Sequence, residues 1–319
     1  MQVDEIMLQQ VSPSPTAPVG FVVAAQSVSA AGTGLFFFVE KGAYEDIFSR
    51  TTNAGGASFP NTKTAVPYHG LLIKIGPDYQ EQTKIEGLDV TNPMIDLFPS
   101  GDIVIVGPRA CRYRDGSTDL NCIVYSAQGA LLRSFLVGDG VQDAFADRLG
   151  RIWVSYFDEG IFGNLGWGNE DDAKPMGSSG LNCFDKYGKV IWNFNQANSG
   201  ETLVDCYAMN VDGAKTWIYF LDGFPLFEIA DDFQTRRWDV GLEGCGSLAV
   251  SETRLLFTGQ YNDSPGTVYI AHWKNDSIGQ FRKTRLVKPD GRPTAKASLV
   301  CRGSILNYFD DEGWFQFAL

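Results

Sequence analysis

Histidine is nearly missing from this chain: only His69 and His272 occur in 319 residues. That scarcity, together with the lack of a Gly-x-Ser-x-Gly motif, leaves Ser–His–Asp catalysis without support. The six cysteines (Cys111, Cys122, Cys183, Cys206, Cys245 and Cys301) are scattered and include no Cys-x-x-Cys pair. They offer no zinc-ligand spacing. Most lie in apolar stretches such as LNCIVY and SLVCRG, which reads as buried free thiols in a reducing cytoplasm. No run reaches the roughly 18 apolar residues of a membrane span. The opening MQVDEIMLQQVSPSPTAPVG has no basic start and no long apolar run, so no secretory signal is expected. No glycine-rich phosphate cradle leads into a helix. Positive charge is also short, with 26 Lys and Arg against 38 Asp and Glu and a net charge of −12. Nucleic acid and a bare anionic membrane are therefore expected to be poor partners. The acidity reads as solubility, or as a preference for a cation or a basic partner.

What the chain has is aromatic residues, glycine and a repeat. It carries 22 Phe, 12 Tyr and 7 Trp, with 35 Gly. Aromatics favour strands and glycines favour tight turns. The stretch NCIVYSAQGALLRSFLVGDGVQDAFADRLGRIWVSYFD, from Asn121, is written again in altered form from Asn182 to Asp222. Strand, turn, strand, gap and strand pair recur six times, at about 53 residues each. Each unit reads as four strands, A to D. The B strands are the plainest: GLFFFVE (34–40), DIVIVGP (102–108), RIWVSYF (151–157), TWIYFLD (216–222), RLLFTGQ (254–260) and SILNYFD (304–310). The last unit stops after its C strand, GWFQFAL (313–319). VDEIMLQQV (3–11) can supply the missing D strand, closing the array and protecting its edges. SPSPTAP (12–18) then reads as a crossing segment, because its prolines cannot occupy a central strand. Helix is expected nowhere except one short turn in AYEDIFSR (43–50).

The sequence therefore predicts an all-β, six-bladed β-propeller, four antiparallel strands per blade, as a single domain over 1–319. Asp147-x-x-Gly150-x-Ile152-Trp153-Val154-x-Tyr156-x-Asp158-x-Gly160 resembles the blade signature of NHL-repeat and two-component-regulator propellers. Gluconolactonase-like propellers write similar blades. The signature is full over about 15 residues and weak elsewhere, so it bears on fold and hardly on function. The resemblance implies that A strands line a channel and that D–A and B–C loops share one face.

The B–C loops are unequal. Insertions are expected at 41–70, 109–120 and 158–180, on three consecutive blades, while the other three blades have short connections. Loops longer than about 12–15 residues are usually functional or disordered, so a walled groove or mere surface elaboration are both open. The third insertion mixes Phe157, Phe162 and Trp167 with Asp158, Glu159, Glu170, Asp171 and Asp172. This suits a ligand shelf for a sugar or flat ring; alternatively Trp167 plugs the loop onto its own blade. Arg109, Arg112 and Arg114 in the second insertion could bind a carboxylate or phosphate, or pair with the acids of the third. The first insertion, rich in Gly, Ser, Thr and Asn, suggests a mobile lid. His69 at its end is the histidine expected to face a site, and His272 is expected mid-sheet.

At the channel mouth, Asp143 and Asp205 stand at equivalent entries to A strands, with Glu243 and Asp96 at comparable places. Such carboxylates could hold Ca²⁺ or Mg²⁺, or could cap turns. Gluconolactonase-like enzymes hold a divalent metal there with Glu, Asn and Asp. FVVAAQS (21–27) lacks the Glu that this resemblance requires. The expectation is a monomeric, non-enzymatic module binding a protein or small ligand on its looped face. The alternative is a divalent-metal-dependent hydrolase or lyase of the gluconolactonase-like type.

Overall fold

The computed structural model describes residues 4–52, 56–168, 173–194, 201–295 and 297–319. Within these residues the chain is nearly all β and forms six four-stranded antiparallel blades, a six-bladed β-propeller. It divides into two compact units of three blades each: Thr16–Asp205, and Met1–Pro15 with Cys206–Leu319.

In the first unit the blades run A-B-C-D in chain order. The first comprises Phe21–Val28, Gly34–Glu40, Lys63–Ile75 and Gln80–Val90. The B strands are apolar runs rather than alternations, and the structure shows why. In GLFFFVE every residue but the last is buried, and IVIV (103–106) is buried throughout. A strand covered on both faces gains from apolar side chains at every position. The D strands are edges, and Leu131–Phe135 is accordingly half exposed. One core of the unit joins the first two blades, with Phe37, Leu72, Ile85, Ile105 and Ile123 at its centre.

The signature residues hold a turn. Asp147 Oδ1 accepts the Leu149 and Arg151 backbone N–H groups, each at 2.9 Å, and Oδ2 accepts the Trp153 indole N–H at 3.0 Å. Gly150 lies at φ 78°, in the left-handed region where a side chain is strained.

In the second unit the N-terminal segment divides its work between two sheets. Gln9–Pro13 pairs antiparallel with Gly313–Ala318 and gives the sixth blade its fourth strand. Asp4–Met7 instead pairs in parallel with Arg282–Val287 of the fifth blade. The strand on the sixth blade thus lies further along than 3–11 and takes in Ser12 and Pro13. Proline is tolerated there because the strand is an edge. His272 lies in the inner C strand Thr267–Lys274 of the fifth blade, opposite Arg254, as expected, and its side chain is exposed. The first insertion is largely built structure: a helical turn at Tyr44–Ile47, a hairpin of Arg50–Thr52 with Ser58–Pro60, and a C strand starting at Lys63. Residues 53–55 of the expected lid lie outside the described residues, and the polar residues around them pair with one another. Thr51 Oγ1 donates to Asn61 Oδ1 at 2.6 Å, and Asn61 Nδ2 donates to Ser49 Oγ at 2.8 Å. No helix among the described residues is long and apolar enough to cross a membrane.

Candidate functional site

The three insertions of the first unit converge on one buried arginine. Arg109 directly follows the second blade's B strand, and its side chain is 0% exposed. Nε donates to Asp139 Oδ1 at 2.8 Å and Nη2 to Oδ2 at 3.0 Å, a two-pronged pair. Nη1 lies 2.6 Å from Glu159 Oε2. Phe59, from the first insertion, and Phe157, before the third, each place a ring centroid 5.6 Å from the guanidinium carbon. Aromatic faces attract such a cation, more so away from water. Burial pushes the Asp139 carboxyl up from its usual range, and the Arg109 fork opposes that push.

The two acids reach Arg109 because two glycines let the backbones touch. A Cβ on Gly140, at φ 66°, would stand 2.3 Å from Gly160 N; one on Gly160 would stand 2.3 Å from Asp139 O. The third insertion opens with the helical turn Asp158–Phe162, and this contact seats it against Asp139.

Above this keystone lies a groove of about 570 Å³. The first insertion lines it with Thr51, Phe59, Asn61 and Lys63, the second with Cys111 and Tyr113, and the third with Asn164 and Leu165. The walls are fastened together. Arg112 N–H donates to Leu165 O at 2.9 Å, and the Trp167 indole donates to Ala110 O at 2.9 Å. Asp119 is buried and serves three partners: it accepts the Cys111 N–H (2.9 Å) and the Tyr113 hydroxyl (3.0 Å), and lies 3.5 Å from Lys63 Nζ. Asp89 also lies 3.1 Å from Lys63. The pKa of Lys63 is set by opposed effects: burial, the largest, lowers it, and hydrogen bonding and attraction from Asp89 and Asp119 leave it raised overall. The Cys111 thiol is pushed up, first by burial and then by Asp119 and Asp139.

The sequence candidates distribute unevenly over this site. Arg109 and Glu159 meet, one of the two pairings open for the arginines. Arg112 lends its backbone, and Arg114 is exposed and makes no ion pair among the described residues. Trp167 is 9% exposed and plugs the third insertion onto the second rather than onto its own blade. Phe162 is 64% exposed, the one aromatic of that insertion free to serve as a shelf. Tyr156 is wholly buried; its hydroxyl donates to Val137 O and accepts the Asn182 amide at 3.2 Å. His69 sits where the first blade's C–D pairing is interrupted, between Tyr68↔Leu88 and Gly70↔Ile85, and does not line the groove. Glu170, Asp171 and Asp172 lie outside the described residues.

Asp205 is half-buried; burial, and then the Asp158 carboxylate, raise its pKa to about 6. Asp143 lies in the third blade's A strand, where its N–H donates to Ser155 Oγ at 3.1 Å. Asp96 accepts the Leu97 and Ala146 N–H groups at 2.7 and 2.8 Å. Among the described residues no group of three or more His, Cys, Asp or Glu gathers as a metal site. Ca²⁺ takes six to eight oxygens, so the donor set in view does not fit it.

Phe59, Asn61 and Lys63 were not singled out in the sequence. Their signal was faint: Phe59 is one of four aromatics in its insertion, with Tyr44, Phe48 and Tyr68, and nothing adjacent marks Asn61 or Lys63.

No protein-family model matches the chain, and no curated protein matches it in sequence. Solved structures do match. A virginiamycin B lyase from Staphylococcus aureus is 10% identical, covering 97% of each chain, with a TM-score of 0.43. A gluconolactonase from Xanthomonas campestris is 12% identical, covering 99% of this chain and 96% of its own, with a TM-score of 0.45. A chain in the mitotic checkpoint complex is 8% identical, covering 98% and 93%, with a TM-score of 0.47.

Proposed function

We propose that the chain is a non-enzymatic binding module that takes a small polar ligand with a flat or sugar-like ring in the groove between its three insertions. The observation that carries this reading is the groove itself. Three separate insertions, on consecutive blades, build one 570 Å³ recess on a shared buried cation. That volume suits a small molecule, and convergent polar groups beside apolar ones are what such sites use to orient a ligand. Tyr113 is exposed at the rim, and Phe59 and Leu165 supply apolar surface, with Thr51, Asn61 and Asn164 as hydrogen-bonding groups. The lining supports binding over catalysis. Its thiol donates to the Arg112 carbonyl at 3.6 Å and has a raised pKa, so little of it is the reactive thiolate.

Cys111 makes the test direct, because the other five cysteines are buried. The expected result is that Ellman's reagent, at mildly alkaline pH where some thiolate forms, slowly modifies one thiol of the native protein and that Cys111→Ser abolishes the reaction. A panel of neutral sugars and planar heterocycles is then screened by thermal melt, and true ligands slow the labelling of Cys111. Thr51→Trp, which fills the groove, removes both effects. If no compound protects Cys111, the groove reading fails. A melt after EDTA treatment, with Ca²⁺, Mg²⁺, Mn²⁺ or Zn²⁺ restored singly, tests the other reading. Metal at about 100 times its Kd adds roughly 2.7 kcal/mol. A shift abolished by Asp205→Asn would favour the metal-dependent hydrolase or lyase of the gluconolactonase-like type.

A further inference from the structure

A second cavity, of about 350 Å³, opens at the opposite ends of the same strands. It lies within the first unit, among the A–B and C–D turns of its blades. One half is apolar, formed by Leu97, Phe98, Pro99 and Ala127. The other half is charged, and its charges do not balance. Lys74 and Glu81 face each other on paired strands, with Nζ 2.8 Å from Oε2. Their burial is unequal: the Lys74 side chain is 9% exposed and that of Glu81 is 60% exposed. A sequestered ammonium therefore depends on a carboxylate that water solvates well, and a pairing of this kind contributes little.

Arg148, from the third blade's A–B turn, reaches the same cavity. Its Nε donates to Ala30 O at 3.2 Å, which anchors the side chain, and it makes no ion pair among the described residues. The lining thus holds two cations and one acid, in a chain whose net charge is −12. A local excess of positive charge in an acidic protein draws anions to that spot. The planar guanidinium suits an oxyanion, and the ammonium adds a point charge beside it.

The geometry points to an organic-anion site here, for a small carboxylate whose body is apolar. The carboxylate lies between Lys74 and Arg148, displacing the exposed Glu81 arm. The body covers Phe98 and Pro99. A single excess positive charge matches a monoanion, and a bare inorganic ion would leave the apolar half wet. This site is independent of the groove reading.

Phenylacetate is the probe, with phenylacetamide as its neutral counterpart and acetate and inorganic phosphate as bare anions. Binding to the full chain is measured by ligand-observed NMR and calorimetry. Phenylacetate is expected to bind one site, with the amide and both bare anions about ten-fold weaker or more. Lys74→Gln weakens phenylacetate by about ten-fold or more, and Arg148→Gln by several-fold. Glu81→Gln tightens binding, because it removes the competing carboxylate. Tyr113→Ala, in the groove, leaves it unchanged. Should Lys74→Gln fail to fold, Arg148→Gln and Glu81→Gln still decide, since both residues are largely exposed. The proposal is overturned if phenylacetamide or phosphate binds as well as phenylacetate, if Glu81→Gln weakens binding, or if phenylacetate does not bind at millimolar concentration.

Discussion

Replacing Arg109 with methionine keeps an unbranched apolar stem but removes the guanidinium and its charge. Asp139 and Glu159 would then face each other's neighbourhood without the cation between them. Asp139 is almost wholly buried and Glu159 largely so, with side-chain exposures of 2% and 17%. Hydrogen bonds to charged groups contribute about 1.5–3 kcal/mol each, and two such bonds to Asp139 and the ion pair with Glu159 are lost. Stranding a buried charge by removing its partner costs about 3–5 kcal/mol in all. The contacts with Phe59 and Phe157 add about 1 kcal/mol more. A loss of about 4–6 kcal/mol is therefore expected for Arg109→Met, read as a fall in the urea midpoint. Arg109→Lys keeps the charge but cannot form the two-pronged pair, and about half that loss is expected. Adding Asp139→Asn to Arg109→Met should restore part of the loss, because one stranded charge is gone. The keystone also predicts a local effect: Cys111 should react with thiol reagents many-fold faster in Arg109→Met. If the methionine variant unfolds within about 0.5 kcal/mol of wild type and Cys111 labels at its usual rate, Arg109 does not hold the insertions together.

Three further outcomes follow from the geometry. Asp205 has a folded pKa of about 6, above the ordinary carboxylate value of 3.8, so the folded state binds the extra proton. Stability should then fall as pH rises from about 4 through 6. Asp205→Asn should be more stable than wild type by about 1 kcal/mol at pH 7.5, a figure reduced for solvent screening, and nearly equal at pH 4; the reverse order in denaturant melts would refute this. Gly140→Ala should cost about 3 kcal/mol or more, since its Cβ meets the Gly160 backbone and its φ is positive; a melt near wild type would show that the two segments can part freely. Asp147→Ala should cost about 2–4 kcal/mol by stranding the Trp153 indole and turn N–H groups, while Cys111 labelling stays unchanged; altered labelling would tie the signature to the groove.

The blades were legible in the sequence because each strand type has its own pattern. Apolar runs such as GLFFFVE mark a strand covered on both faces, and residues such as Asp147 with Gly150 mark a turn. Both signals are local, so a repeat exposes them. The lopsided insertions were legible as lengths alone. Their contents were not, because the decisive contacts are between insertions. Nothing adjacent to Arg109 in sequence announces that Asp139, Glu159, Phe59 and Phe157 would surround it. Nor does the spacing of Arg109, Arg112 and Arg114 reveal that one is buried and one is in water. The split N-terminal segment was hidden for a similar reason. DEIM and QQVSP carry the same weak strand character, and only their partners differ.

The N-terminal strand also constrains how the chain can reach its native state. Gln10 touches Glu312 across 302 residues of sequence. During synthesis that strand is made about 300 residues ahead of its partner and waits for it. Until then Leu8, buried at 1% exposure in the finished fold, has no cover. Contacts so distant along the chain form slowly, because a long loop must close before any pairing rewards it. Asp4–Met7 and Gln9–Pro13 are unpaired through the same interval, until the fifth and sixth blades supply their partners, and unpaired strands are where chains aggregate. The yield of soluble protein should therefore depend on the strands Asp4–Met7 and Gln9–Pro13 more than on any loop that lines a cavity.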